Sequence, residues 1–135
     1  MWGDVVATVT FRDETATGRR LDELAVADLP QAMTVRELVR LRVREEVARH
    51  NAQPSHHFRG LVRPEDAEIE LNGYRLRTPR RLDWERQAST AERAFCRNGY
   101  FVLVGDRQVE DLDEVVDLTG DPELVFVKLV QLVGG

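Results

Sequence analysis

Leu124-Val125-Phe126-Val127-Lys128-Leu129-Val130-Gln131-Leu132-Val133-Gly134-Gly135 closes the chain, and its reading decides the fold. The run from Leu124 is apolar and rich in β-branched and aromatic side chains, which suits a strand buried in a sheet. It passes without a break into two glycines that end on a free carboxylate. Lacking a Cβ, Gly134 and Gly135 make a thin, flexible tail (130–135) around which a partner's groove can close. The same dipeptide fits a frayed terminus or a cloning remnant, so what precedes it must arbitrate. Counted forward from the acidic loop, the alternation puts Leu124 and Phe126 inward and Val125 and Val127 outward. Counting back from Gly135 would turn Lys128 inward as an unpaired charge, which is costly to bury.

Working outward, 135 residues with 42% apolar content suffice for one domain with a real core. No apolar run reaches membrane-spanning length and no charged-then-apolar leader opens the chain, so a soluble protein without membrane contact is expected. The single Cys96 excludes an internal disulfide and fits a reducing cytoplasm. A net charge of −5 argues against nucleic acid as a partner. Lys128 is the only lysine among 19 basic residues. A GC-rich genome would explain that bias, yet it leaves almost no side-chain amine for acylation.

From the start, Asp4 to Phe11 alternates as a strand, with Val5, Ala7, Val9 and Phe11 on one face. The polar stretch Arg12 to Gly18 is expected to turn. Arg19 to Ala27 resumes as a second strand with Leu21, Leu24 and Val26 inward, its broken alternation hinting at a bulge. Thr34-Val35-Arg36-Glu37 reads as a capping box. The helix it opens carries an apolar stripe of Val35, Leu38, Val39, Leu41, Val43, Val47 and Ala48 and closes at His50-Asn51. Residues 52–97 stand out as an arginine-rich insertion, with nine arginines against seven acids. Within it, Asn72-Gly73 predicts a tight hairpin with Ile69 opposite Leu76 and Leu71 opposite Tyr74, and Trp84 to Cys96 a short helix. Gly99 to Val104 reads as a buried strand, Arg107 to Val109 as a very short one. The acidic run that follows is expected to be a short helix pinned by Leu112, Val115, Val116 and Leu118. The order implies an α+β domain, a mixed sheet with its final strand between the first and the one near Val102. That arrangement is the β-grasp.

Phe101-Val102-Leu103-Val104-Gly105-Asp106-Arg107-Gln108-Val109-Glu110-Asp111 resembles the third strand and following turn of ubiquitin. Glu123 to Gly135, with Leu132 and the closing diglycine, resembles ubiquitin's last strand and tail. The opening hairpin and the Thr34-capped helix match in order and length, so the resemblance covers about two-thirds of the chain, all but 52–96. The chain thus resembles the ubiquitin-like superfamily, and the insertion and arginine bias look like a bacterial ubiquitin-like modifier. It departs from ubiquitin in having Gln131 and Val133 where arginines interleave the tail. Asp106 stands where ubiquitin has its commonest chain-forming lysine.

The resemblance implies a protein modifier and not an enzyme, with no cofactor of its own beyond the ATP-Mg used by its partner. Gly135 would be adenylated by an activating enzyme, carried as a thioester on a conjugating enzyme and joined to target proteins, with a metalloprotease to reverse the bond. Related bacterial systems serve antiviral defence. Gly134 and Gly135 would react, while Gln131, Leu132 and Val133 would be read by the activating enzyme. Val102, Val125 and Val127 are expected as an exposed apolar partner patch. Two other readings stay open: a sulfur carrier bearing a thiocarboxylate at Gly135, and a β-grasp adaptor with an incidental diglycine. The remaining motifs fit blander roles: His50, His56 and His57 a surface loop rather than a metal site, Cys96 a packed thiol, and Glu110 to Asp117 a solvated face.

Overall fold

The computed structural model describes residues 6–70 and 73–129. In chain order the elements are β1 (Ala7–Thr15), β2 (Arg20–Leu29), β3 (Ala32–Thr34), α1 (Val35–Ala52), β4 (His57–Phe58), β5 (Glu68–Glu70), β6 (Gly73–Arg75), α2 (Trp84–Cys96), β7 (Tyr100–Val104), β8 (Arg107–Val109), β9 (Val115–Asp117) and β10 (Glu123–Lys128). The protein is α+β with a mixed sheet and two helices. It divides into two compact units, Met1–Val35 with Asn98–Gly135, and Arg36–Arg97.

The first unit is built on a five-stranded sheet of order β2-β1-β10-β7-β8. β10 runs parallel to β1, with Phe11 beside Leu124 and Asp13 beside Phe126, and antiparallel to β7, with Phe126 beside Val102. Period-two alternation sends Val9, Phe11, Val102, Leu124 and Phe126 to one face, where all are almost fully buried. Phe126 is the centre of that face: Phe11 meets it edge-on at 6.0 Å, and the Tyr100 ring lies 5.8 Å away. β1 runs further than the polar composition of Arg12 to Glu14 suggests, and the chain reverses only at Ala16 to Gly18, where Gly18 takes φ +87°. The irregularity expected in β2 is present, since the pairing register shifts between Ala7 and Val9 and again between Asp13 and Glu14.

The acidic run does not form the expected helix. Its Val115–Asp117 segment is β9, paired antiparallel with β3 so that Met33 faces Val116. Two backbone bonds extend this pairing, Leu118 N–H to Gln31 at 2.7 Å and Val35 N–H to Glu114 at 2.9 Å. Apolar spacing alone satisfied either reading. The backbone groups of β3 decide it by offering a ladder that a lone helical turn lacks.

In the second unit α1 buries Leu38, Val39, Val43 and Val47 as expected, while Ala48 is exposed. The stripe also holds Arg42, whose Nε donates to Glu46 at 2.5 Å, and the other Glu46 oxygen accepts from the Leu61 amide at 3.0 Å. His50 rests edge-on against Phe58 at 5.4 Å and bonds the Arg80 carbonyl at 2.7 Å. Asn51 holds Leu82 by both its backbone groups. A small sheet of order β4-β6-β5 and helix α2 complete the unit. The Asp83 carboxylate caps α2 by accepting from the amides of Glu85 and Arg86, and Ala88, Ala91 and Phe95 form its buried side. The hairpin register differs from expectation: Ile69 faces Tyr74 and Glu70 faces Gly73, while Leu71 lies outside the described residues. An antiparallel slip by two keeps each side chain on its face, so the hydrophobic pattern could not distinguish the two registers.

Candidate functional site

β10 leads toward the glycine tail, so its two faces and its neighbours define the candidate site. Leu124 and Phe126 face the core with no measurable exposure, as the alternation requires. The same alternation carries Lys128 to that side. Its charge is not left alone, because Nζ lies 3.3 Å from the Asp13 carboxylate, and both side chains are largely buried. The objection to an inward lysine fails because Asp13, expected in a turn, sits on β1 as its counter-ion.

The opposite face carries the apolar residues of interest, and here one expectation is corrected. Val102 pairs with Phe126 and is 0% exposed, so it belongs to the core and not to a surface patch. The β7 residues that share a face with Val125 and Val127 are Leu103 and Phe101, their direct cross-strand partners. Phe101, Leu103 and Val127 are half-buried, and Val125, also expected in the exposed patch, is instead buried at 7% exposure, flanked by Arg12 and Leu103 on its two neighbouring strands. The error was one residue, and in a period-two strand one residue inverts the face.

Arg12 borders this apolar strip. One terminal nitrogen lies 3.0 Å from Glu14, the other meets Glu123, and its Nε is buried without a hydrogen-bond partner among the described residues. The guanidinium is therefore held between two carboxylates, and the strip is flanked by fixed charge.

Gly134 and Gly135, with the expected recognition residues Gln131, Leu132 and Val133, lie outside the described residues. Leu129 is the last described residue and is exposed. The three histidines do not converge: His50 and His56 bond main-chain carbonyls, and His57 Nδ1 lies 2.7 Å from Glu70. Among the described residues no group of three potential metal ligands comes together. Cys96 was expected to be packed but is exposed at the end of α2, one position past the buried Phe95 and so turned off the apolar side. In the acidic loop, both the amide and the hydroxyl of Thr119 donate to Asp117, at 2.9 and 2.6 Å. The hydroxyl first, then the amide, lowers the carboxyl's pKa from its ordinary value. No helix among the described residues is long and apolar enough to cross a membrane.

Sequence reasoning missed Asp13 as the partner of Lys128 and the pair Phe101 and Leu103. Asp13 had no readable signal. The strip had one, since fixing Phe126 inward fixes the face of every residue paired with it. No protein-family model, curated protein or solved structure matches the chain.

Proposed function

We propose that this chain is a ubiquitin-like modifier of the β-grasp class, working in the cytoplasm through its Gly135 carboxylate. The observation that carries this reading is the strand order β2-β1-β10-β7-β8, in which the strand before the diglycine occupies the middle of the sheet parallel to the first strand. A central strand is held on both sides, so a tail leaving it starts from a fixed point. The half-buried strip of Phe101, Leu103 and Val127 lies on the adjoining sheet face, and a partner that grips the tail can rest there.

In this reading the carboxylate attacks the α-phosphate of ATP on an activating enzyme, forming the acyl adenylate and releasing pyrophosphate. A cysteine thiolate of that enzyme displaces AMP, and the resulting thioester passes to a conjugating enzyme and then to a target amine. A metalloprotease reverses the bond. The chain supplies the acyl group and the docking surface but no catalysis. Lys128 makes a poor acceptor for a second copy, because its ammonium is engaged by Asp13 on the inner side of the sheet. The modifier should therefore attach singly.

Mass spectrometry of the protein recovered from its own cells tests this. Branched peptides carrying a tail remnant that ends in Gly134-Gly135 and begins after Lys128 are expected on other proteins, and they should vanish when Gly135 is deleted. A protein bearing sulfur in place of a terminal oxygen would replace this reading with the sulfur carrier. Neither product would leave a β-grasp adaptor, and abundant branches on Lys128 would overturn single attachment.

A further inference from the structure

The Arg36–Arg97 unit contains an open cleft of about 800 Å³ lined by Arg63, Arg80, Arg81, Arg86 and Arg93. Its setting is electropositive, since the unit holds fourteen arginines against ten acids on a chain whose net charge is −5. Three carboxylates share the cleft, so its five arginines are only partly neutralised. Arg63 and Arg81 are exposed and have no ion-pair partner among the described residues. Arg93 donates to the Thr90 hydroxyl, and Arg80 donates to the Glu65 carbonyl, at 2.5 Å. Only Arg86 faces carboxylates, at 3.6 Å from Glu65 and 4.0 Å from Asp83. Like-charged side chains gathered at this density cost Coulomb energy that an anion would recover, and guanidinium forks match carboxylates and phosphates in shape.

The rest of the lining selects among anions. Glu65, Asp83 and Glu85 share the cleft with the arginines, and Gln87, Ser89 and Thr90 add neutral polar groups. No aromatic ring lines the cleft on which a nucleic-acid base could stack. A peptide suits the mixture better. Its acidic side chains meet the arginines, while its backbone amides donate to the carboxylates and hydroxyls. We infer that this cleft is a docking site for an acidic peptide segment of a partner protein, recognised by Arg63, Arg81 and Arg93 independently of the glycine tail.

Fluorescence anisotropy on the full chain tests the assignment, with a short labelled peptide of alternating glutamate and alanine as the probe. Binding is expected to weaken as salt rises. The Arg63→Glu/Arg81→Glu double variant should lose affinity by roughly tenfold or more. Both side chains are exposed, and an unchanged circular dichroism spectrum would confirm that the variant folds. Arg19→Glu, a charge reversal in the other unit, should lose much less. Equal losses in the two variants, or no preference for the acidic peptide over one with glutamine for glutamate, would overturn the site. A single-stranded oligonucleotide of equal charge binding more tightly than the peptide would overturn the peptide as occupant. So would concentration-dependent self-association abolished by the double variant, which would put a second copy of the chain in the cleft.

Discussion

Arg36–Arg97 is one continuous stretch, whereas the sheet unit is assembled from both ends of the chain. Thr8 and Asp121, 113 positions apart, are joined by a hydrogen bond, and β1 lies directly against β10. The two units also differ in charge. The sheet unit carries fourteen acids against five basic residues, and the other fourteen arginines against ten acids. They differ again in what fills them. The sheet unit buries a nearly apolar layer around Phe126, while its counterpart fixes loops with polar groups on α1, the buried Arg42 and His50 and the half-buried Glu46 and Asn51. Distant strands must repay a large loop-closure entropy, and dense apolar burial between them does so. Segments closed over 15 to 31 positions lose less entropy but leave backbone groups that need polar partners.

The severest test of this contrast is Val102→Asp. It places an unpaired carboxylate at a position with no exposure, beside Phe126, and should cost about 4 kcal/mol or more. Amide exchange should then show the β1–β10 ladder losing protection. Retained protection with native stability would mean that Val102 is not core and would restore it to the surface. The matching change in the other unit is Glu46→Ala, which removes one partner of the buried Arg42 and the acceptor of the Leu61 amide. A loss of about 3 kcal/mol is expected from the urea midpoint. A negligible loss would show that apolar contacts alone hold both units.

A smaller effect should come from Lys128→Met, which takes the counter-ion from Asp13 while keeping most of the apolar stem. About 1 kcal/mol is expected from the same measurement, and a stabilised variant would show that the pair is retained for a reason other than stability. The smallest is Thr119→Ala, read by NMR titration of Asp117. Losing the hydroxyl bond should raise the Asp117 pKa toward the ordinary carboxylate range. Because the folded-state pKa is depressed, whatever stability the bond contributes is present above the unfolded-state pKa. It is lost as pH falls through the folded one. An unmoved titration would assign the depression to the backbone amide.

Much of the sheet unit was legible because β1 alternates: Val9 and Phe11 fall between polar residues, so their face follows from period two. β10 is apolar from Leu124 to Val127, and it took counting from the acidic loop to turn Leu124 and Phe126 inward. Residues 100–104 were not legible in the same way. Tyr-Phe-Val-Leu-Val is apolar throughout, so nothing local says which residues point inward, and Val102 was assigned to the wrong side. Residues 110–118 failed for a related reason. Their apolar spacing suits a helical turn as well as a strand edge, and only β3 distinguishes them. In the candidate site, Val125 and Val127 were found on the expected face, but Phe101, Leu103 and Asp13 became visible only through pairing.

The sequence by itself determined the two helices, the hairpin at the start, the apolar strand before the glycines and the charge contrast between residues 36–97 and the rest. These are set within a turn or a few alternations, where neighbouring residues carry the whole signal. Tertiary structure alone decided that Phe101 and Leu103 lie beside Val127 and Val125, that Lys128 finds Asp13, and that arginines from three separate segments converge on one cleft. Each of these joins positions that no local period links, and the energy favouring them exists only once distant strands and loops have been brought together.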